Sequence, residues 1–210
     1  MSKEKLAATI LRIIDITHIR RGTEKYAQEN NTYGATTLRK RHVTVSGNNV
    51  TFDFIGKKSK PFKATFNMPE VAPIIQKLLS KGKPDDRLFD IPENSANVYL
   101  KKYGVTPKDF RAYSASRIFA ERSAMYDGST PKKRKKSLIM AVKDAAEALN
   151  NTPAVCKSSY IDPVCIQAFL DGNPLGVAYA KSLAGQCTKE QHFNSYLDHL
   201  AELYHMGDII

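Results

Sequence analysis

Cysteine is scarce in this chain: its three residues, Cys156, Cys165 and Cys187, are odd in number and lack the paired spacing of zinc ligands. That pattern speaks against a zinc site and for a reducing compartment. No apolar run approaches the roughly 20 residues needed to cross a bilayer. The opening Met-Ser-Lys-Glu-Lys leads into a pattern interrupted by Arg12 and Asp15, so the chain reads as soluble and unsecreted. No glycine-rich loop ends in Lys-Ser or Lys-Thr. The histidines His18, His42, His192, His199 and His205 form no recognisable ligand cluster. The expectation is chemistry without metal, nucleotide or other cofactor. Acidic residues are also in deficit, 21 against 32 Lys plus Arg, for a net charge of +11. A surplus of that size favours a polyanionic partner.

What is present describes one globular unit. Of 210 residues, 42% are hydrophobic and 25% charged, enough for a single sizeable core, with no internal repeat. Leu6, Ile10, Ile13, Ile14 and Thr17 recur at helical spacing, which places Arg20 just past the end of a first helix. Gly22 allows a tight turn before a second helical stretch through Tyr26. Three strand-like runs follow, Arg41 to Val45, Val50 to Ile55 and Phe62 to Asn67. Ser46-Gly47-Asn48-Asn49 joins the first two as a hairpin, and Gly56 to Pro61 joins the second and third, with Lys57 at the tip. From Met68 onward the reading is mostly helical. Pro69 is the expected start before Val71 to Leu79, then come Asn94 to Lys102 and a helix opened by Thr106-Pro107 that carries Arg111. Ser137 to Leu149 reads as an alanine-rich helix, Asn150-Asn151-Thr152-Pro153 breaks it, and Gly172-Asn173-Pro174 marks a loop. A last helix over Lys189 to Tyr204 carries Phe193, Leu197, Leu200 and Leu203 on one face.

The chemistry centres on Tyr160 and three scattered cations, Arg20, Lys57 and Arg111. A tyrosine hydroxyl has a pKa near 10, so roughly one in a thousand is ionised at neutral pH. To attack a phosphodiester it must be held in line while cations stabilise the charge building on the non-bridging oxygens. Arginine offers a planar fork of donors that never loses its charge, and lysine can deliver a proton to a departing alkoxide. Each residue also has a plain reading. Lys57, Lys58, Lys60 and Lys63 could be a solvated basic turn, and Arg111 a solvated helix residue. The run Pro131-Lys132-Lys133-Arg134-Lys135-Lys136 fits a targeting signal, a solvated helix start or phosphate contacts, and its continuation into a helix favours phosphate contacts at the helix entrance.

Five segments carry a resemblance: Ile19 to Tyr26, Thr32 to Leu38, Phe54 to Lys57, Lys108 to Tyr113, and Asn151 to Tyr160. Together, in order from about residue 12 to about residue 165, they resemble the catalytic domain of type IB DNA topoisomerases in the small form of poxviruses and bacteria. The resemblance implies a mainly α fold with a small three-stranded antiparallel β-sheet (α+β), shared with tyrosine recombinases. It implies that Tyr160 forms a 3′-phosphotyrosyl bond, Arg20 and Arg111 hold the scissile phosphate, and Lys57 is the general acid to the 5′-oxygen. Asn151 falls where poxviral members have histidine and bacterial-type members asparagine. An amide donates a hydrogen bond but no proton, which excludes a histidine-dependent protonation here. Lys58, Lys60, Lys132, Lys133, Arg134, Lys135, Lys136 and Lys157 are the expected contacts to DNA.

The expected protein is therefore an intracellular, DNA-associated monomer acting on double-stranded DNA, in a bacterial cytoplasm or nucleoid or encoded by a virus. Residues 1–210 are expected to form a single catalytic domain, without the smaller amino-terminal domain of the family. The rivals are a tyrosine recombinase, which predicts histidine where Lys108 stands in Lys108-Asp109-Phe110-Arg111, and a non-enzymatic DNA-binding module.

Overall fold

A computed structural model describes residues 1–101 and 103–172. The loop expected at Gly172-Asn173-Pro174, past its first residue, and the helix expected over Lys189 to Tyr204 lie outside the described residues. The described chain is mainly helical with one small antiparallel sheet, as the sequence implies. It divides into two compact units at about residue 107.

The first unit opens with α1 (Lys3–Thr17), capped by the Ser2 hydroxyl accepting from the Lys5 N–H at 3.2 Å. Its helical stripe buries Leu6, Ala7, Ile10, Leu11, Ile13 and Ile14, and the helix packs on α4 (Ser95–Lys101). Between them come α2 (Glu24–Asn30), the strands β1 (Val43–Ser46), β2 (Asn49–Gly56) and β3 (Lys60–Asn67), and α3 (Ala72–Leu79). The strand order is β1-β2-β3, with Val45 opposite Val50 and Phe54 opposite Phe62. On β2, Val50, Phe52 and Phe54 are buried while Asp53 and Ile55 face out, the two-residue period of a half-buried strand. The outer face is stitched by cross-strand pairs, Thr51 to Thr65 at 2.7 Å and Lys63 to Asp53 at 2.7 Å.

Two expectations need correction. Arg41 belongs to a single 3-10 turn over Lys40–His42 rather than to β1, because the His42 Nδ1 accepts from the Arg39 N–H at 3.0 Å and closes that turn. Pro69 lies in a turn ahead of α3, and Pro73 takes the first-turn position, where a missing N–H costs nothing.

The second unit holds α5 (Pro107–Met125), α6 (Pro131–Ala148), α7 (Pro153–Ser159) and α8 (Pro163–Leu170). Its core joins Phe119, Ala120, Leu138, Ala141, Val142, Ala145, Leu149, Cys156, Ile161, Cys165 and Phe169. Ala141 and Ala145 lie one turn apart on α6, fully buried, and α6 packs on both α7 and α8. No helix among the described residues is long and apolar enough to cross a membrane.

The stacking beside the sheet has a pH signature. His42 lies 4.3 Å from the Tyr33 ring and is 7% exposed; burial, with Arg41 and Arg39 adding to it, lowers its pKa to about 4. Because the folded value lies below the unfolded 6.5, the neutral ring stabilises the fold above pH 6.5. That contribution is lost as pH falls from 6.5 through about 4. Urea midpoints measured across this window should fall with pH, and His42→Gln should flatten the decline.

Candidate active site

Sequence places Arg20 after a helix, and the structure shows why the chain stops there. His18 closes α1 in the left-handed conformation, φ 55°, with its N–H donating to the Ile14 carbonyl at 2.9 Å. The chain then packs closely against the segment 34–37. The Ala35 N–H donates to the Arg20 carbonyl and the Thr36 N–H to the Arg21 carbonyl, both at 2.8 Å. The Thr36 hydroxyl adds donations to the Arg21 and Gly22 carbonyls, at 2.9 and 3.2 Å. Two glycines make this crossing possible. A Cβ on Gly22, whose φ is +91°, would sit 2.8 Å from the Gly34 nitrogen, and a Cβ on Gly34 would sit 2.4 Å from the Arg20 carbonyl oxygen.

The same segment reaches the second cation. The Tyr33 N–H donates to the Ile55 carbonyl at 2.8 Å, two residues before Lys57. Gly56 pairs with Lys60, so Lys57 to Ser59 form the tip, with Lys58 and Ser59 both at positive φ. Lys57, Lys58 and Lys60 are exposed there, whereas Lys63 is tied to Asp53. Arg20 and Lys57 are thus presented from one backbone-bonded frame.

In the second unit, Arg111 comes from α5 and is 3% exposed. Its guanidinium donates to the Leu149 carbonyl at 2.9 Å, at the negative end of α6. That end is shaped by Asn150, φ 50°, whose N–H donates to the Glu147 carbonyl at 2.9 Å while the Asn151 N–H donates to that of Ala146 at 2.8 Å. This is a Schellman closure with asparagine in the place glycine usually takes. Thr152 then caps α7 through its hydroxyl and Pro153 occupies its first turn, so Asn150-Asn151-Thr152-Pro153 ends one helix and starts the next.

Tyr160 closes α7, its N–H donating to the Cys156 carbonyl at 3.1 Å. Its ring lies 5.3 Å from the Arg111 guanidinium and 5.7 Å from the Lys108 ammonium, so two cations face the aromatic ring. Beneath it, burial pushes the Cys156 thiol up to about 11, which keeps it protonated and unreactive. Tyr160, Arg111 and Asn151 therefore stand on connected turns of one unit.

In the sequence reading Lys108 served only as the residue standing where a tyrosine recombinase would have histidine, and Ser116 had no role. Lys108 carries a signal, one helical turn before Arg111. Ser116 carries none: its hydroxyl accepts from the Asp162 N–H at 2.9 Å and contacts the Tyr160 carbonyl at 3.5 Å, contacts that only the fold creates. Among the basic residues expected to meet DNA, Lys132, Lys135, Lys136 and Lys157 are exposed. Lys133 pairs with Asp127 at 2.7 Å and holds that carboxyl well below its usual range, with Ser129 adding to the effect. Arg134 donates to the Leu170 and Gly128 carbonyls at 2.8 and 3.0 Å, an anchor within the unit.

A mainly helical fold with one small sheet, a lysine at a hairpin tip and a tyrosine closing a short helix beside a buried arginine defines a class of catalytic core. The family of the eukaryotic DNA topoisomerase I catalytic core matches residues 1–167, and this chain belongs to it. DNA topoisomerase 1B of Vaccinia virus (strain Copenhagen) is 27% identical over 192 residues, covering 87% of this chain and 57% of the relative. DNA topoisomerase 1B of Acanthamoeba polyphaga mimivirus is 27% identical over 179 residues, covering 76% and 53%. DNA topoisomerase 1 of Schizosaccharomyces pombe (strain 972 / ATCC 24843) is 36% identical over 130 residues, covering 58% of this chain and 16% of the relative. The chain spans little more than half the length of these viral relatives.

The glycine crossing gives a direct test. Gly22→Ala should cost about 1–3 kcal/mol in backbone strain, with the clash against Gly34 adding to it. Gly47, at φ +58° with nothing within 4 Å of its Cβ position, is the control for strain alone. The urea midpoint should fall further in Gly22→Ala than in Gly47→Ala.

Proposed function

We propose that this chain is the catalytic part of a type IB DNA topoisomerase, relaxing supercoiled double-stranded DNA without ATP or metal. The observation that carries the reading is Tyr160 closing α7 with the Arg111 and Lys108 cations facing its ring. The Tyr160 hydroxyl gives its proton to water as its oxygen attacks the phosphorus and forms the phosphotyrosyl bond, and the bond to the 5′-oxygen breaks. The 5′-oxygen takes its proton from Lys57, while Arg20 and Arg111 hold the non-bridging oxygens and Asn151 donates one hydrogen bond. Exchanging a phosphodiester for a phosphotyrosyl ester keeps the energy of the linkage, so resealing by the free 5′-hydroxyl needs no external fuel. The broken strand turns about its intact partner between the two steps, and stored supercoiling drives the net change.

Residues 1–210 act in this reading as a single catalytic domain and a monomer. Lys58, Lys60, Lys132, Lys133, Lys135, Lys136 and Lys157 supply phosphate contacts, and Arg134 enters that surface only through its charge. The setting is intracellular and DNA-associated, in a bacterial cytoplasm or nucleoid or for a protein encoded by a virus.

The test is a covalent trap. Protein is mixed with supercoiled plasmid in chelator, stopped with detergent, and examined for relaxed topoisomers and DNA-linked protein. Relaxation with a 3′-linked adduct is expected, and Tyr160→Phe should abolish both while changing DNA affinity less than about twofold, since phosphate contacts spread over the surface dominate affinity. Relaxation by Tyr160→Phe at the normal rate would sink the assignment.

A further inference from the structure

Two residues after Gly22, the α2 residue Glu24 holds two arginines. The Arg39 guanidinium donates to its Oε1, and the Arg87 Nε lies 3.9 Å from its Oε2. The two arginines are far apart in the chain, yet they meet through a backbone bridge between Arg39 and Arg87, supported by the Leu88 N–H donating to the Leu38 carbonyl at 2.8 Å. Arg87 also donates to the Thr36 carbonyl at 3.0 Å. Thr36 is the residue whose N–H and hydroxyl grip the carbonyls of Arg21 and Gly22. The start of α2 is fixed from a further side, since the Glu24 N–H donates to the Glu93 carboxylate at 2.7 Å while the Thr23 side chain makes no cap bond.

These contacts form a closed circuit around the Arg20 loop. One path runs through the backbone from Arg20 to Glu24. The other runs from the Arg20 to Gly22 carbonyls through Ala35 and Thr36 to Arg87 and back to the Glu24 carboxylate. The three charged side chains are only 16–29% exposed. A carboxylate placed among several arginines also has an electrostatic consequence. Its charge lies against both Arg39 and Arg87, which weakens the pull of those two arginines on an approaching phosphate.

We infer that Glu24 is the positioning residue of the Arg20 loop, drawing in Arg39 and Arg87 so that the loop presents Arg20 to the scissile phosphate. This rests on the topoisomerase reading above. Its specific content is that Glu24 acts through Arg20, which a residue merely stabilising the fold does not do.

The experiment uses the chain in excess over supercoiled plasmid and follows covalent adduct formation after detergent quench, with DNA affinity measured on the same preparations. Glu24→Gln should slow adduct formation about tenfold, with affinity unchanged or tighter because Arg39 and Arg87 are released. Arg87→Lys, which keeps the charge and loses the fork, should slow it in the same direction and serves if Glu24→Gln does not fold. In an Arg20→Ala background neither change should slow the reaction further. Full-rate cleavage by both variants, or slowing that multiplies with that of Arg20→Ala, overturns the inference. Full-rate cleavage by Arg20→Ala removes the role of Arg20 and this inference with it. An adduct that survives Tyr160→Phe instead strikes the topoisomerase reading itself.

Discussion

The buried guanidinium of Arg111 is the constraint around which the second unit is organised. A charge at 3% exposure is costly unless polar groups receive it, and the Leu149 carbonyl at the end of α6 is one such group. That carbonyl is available because α6 ends in a Schellman turn, with Asn150 in the left-handed conformation. The turn delivers Asn151 and then Thr152-Pro153, which start α7, and α7 ends on Tyr160. A cation, an amide and a tyrosine widely spaced in sequence are therefore tied to one helix end. The same α5 that carries Arg111 also carries Ser116, which meets the backbone on both sides of Ile161.

The first unit places its cations by a different device. Neutral backbone bonds between 20–22 and 34–37 shape the Arg20 loop, at a closeness only glycine permits, and the Glu24 charge cluster braces it from the start of α2. The arrangement is stiff because each strand of the crossing lacks a Cβ where the other passes. Lys57 differs again, at an exposed hairpin tip whose next two residues are both left-handed. Two of the proposed groups are thus carried on a firm loop and a projecting tip, which suits one group that clamps a phosphate and one that delivers a proton.

Much of this was legible in the sequence because it rests on local rules. Gly22 as a tight turn, the two-residue Gly47-Asn48 hairpin, Thr106-Pro107 as a helix start and proline after Asn150 are signals contained within a few residues, and the helices and strands fall where those signals put them. Pro69 misled because Pro73 carries the same signal four residues later, and local chemistry does not choose between them. Arg41 looked like strand because His42 closes the 3-10 turn through a ring nitrogen, a bond that no propensity encodes. Ser116, Glu24 and Arg87 were illegible for a deeper reason. Their partners lie 15 to 69 residues away, and any exposed helix or loop could carry such residues without consequence.

The charge surplus itself divides once the fold is known. Arg134, Arg39 and Arg87 are turned to carbonyls and to Glu24, whereas Lys63 and Lys133 form exposed pairs with carboxylates. Lys132, Lys135 and Lys136 are exposed near the start of α6, where the helix dipole disfavours a cation in the first turn, here Lys132, by a few tenths of a kcal/mol at low salt. Thr130 caps this helix well, so the sequence could have placed acids there and gained stability. Retaining lysines against that local preference makes sense if an outside polyanion compensates them, since phosphates close to the exposed N–H groups and the ammoniums would be attracted by both. Local frustration at the entrance of α6 is therefore better evidence for a nucleic-acid surface than the net charge, which counts the structural arginines and the exposed lysines alike.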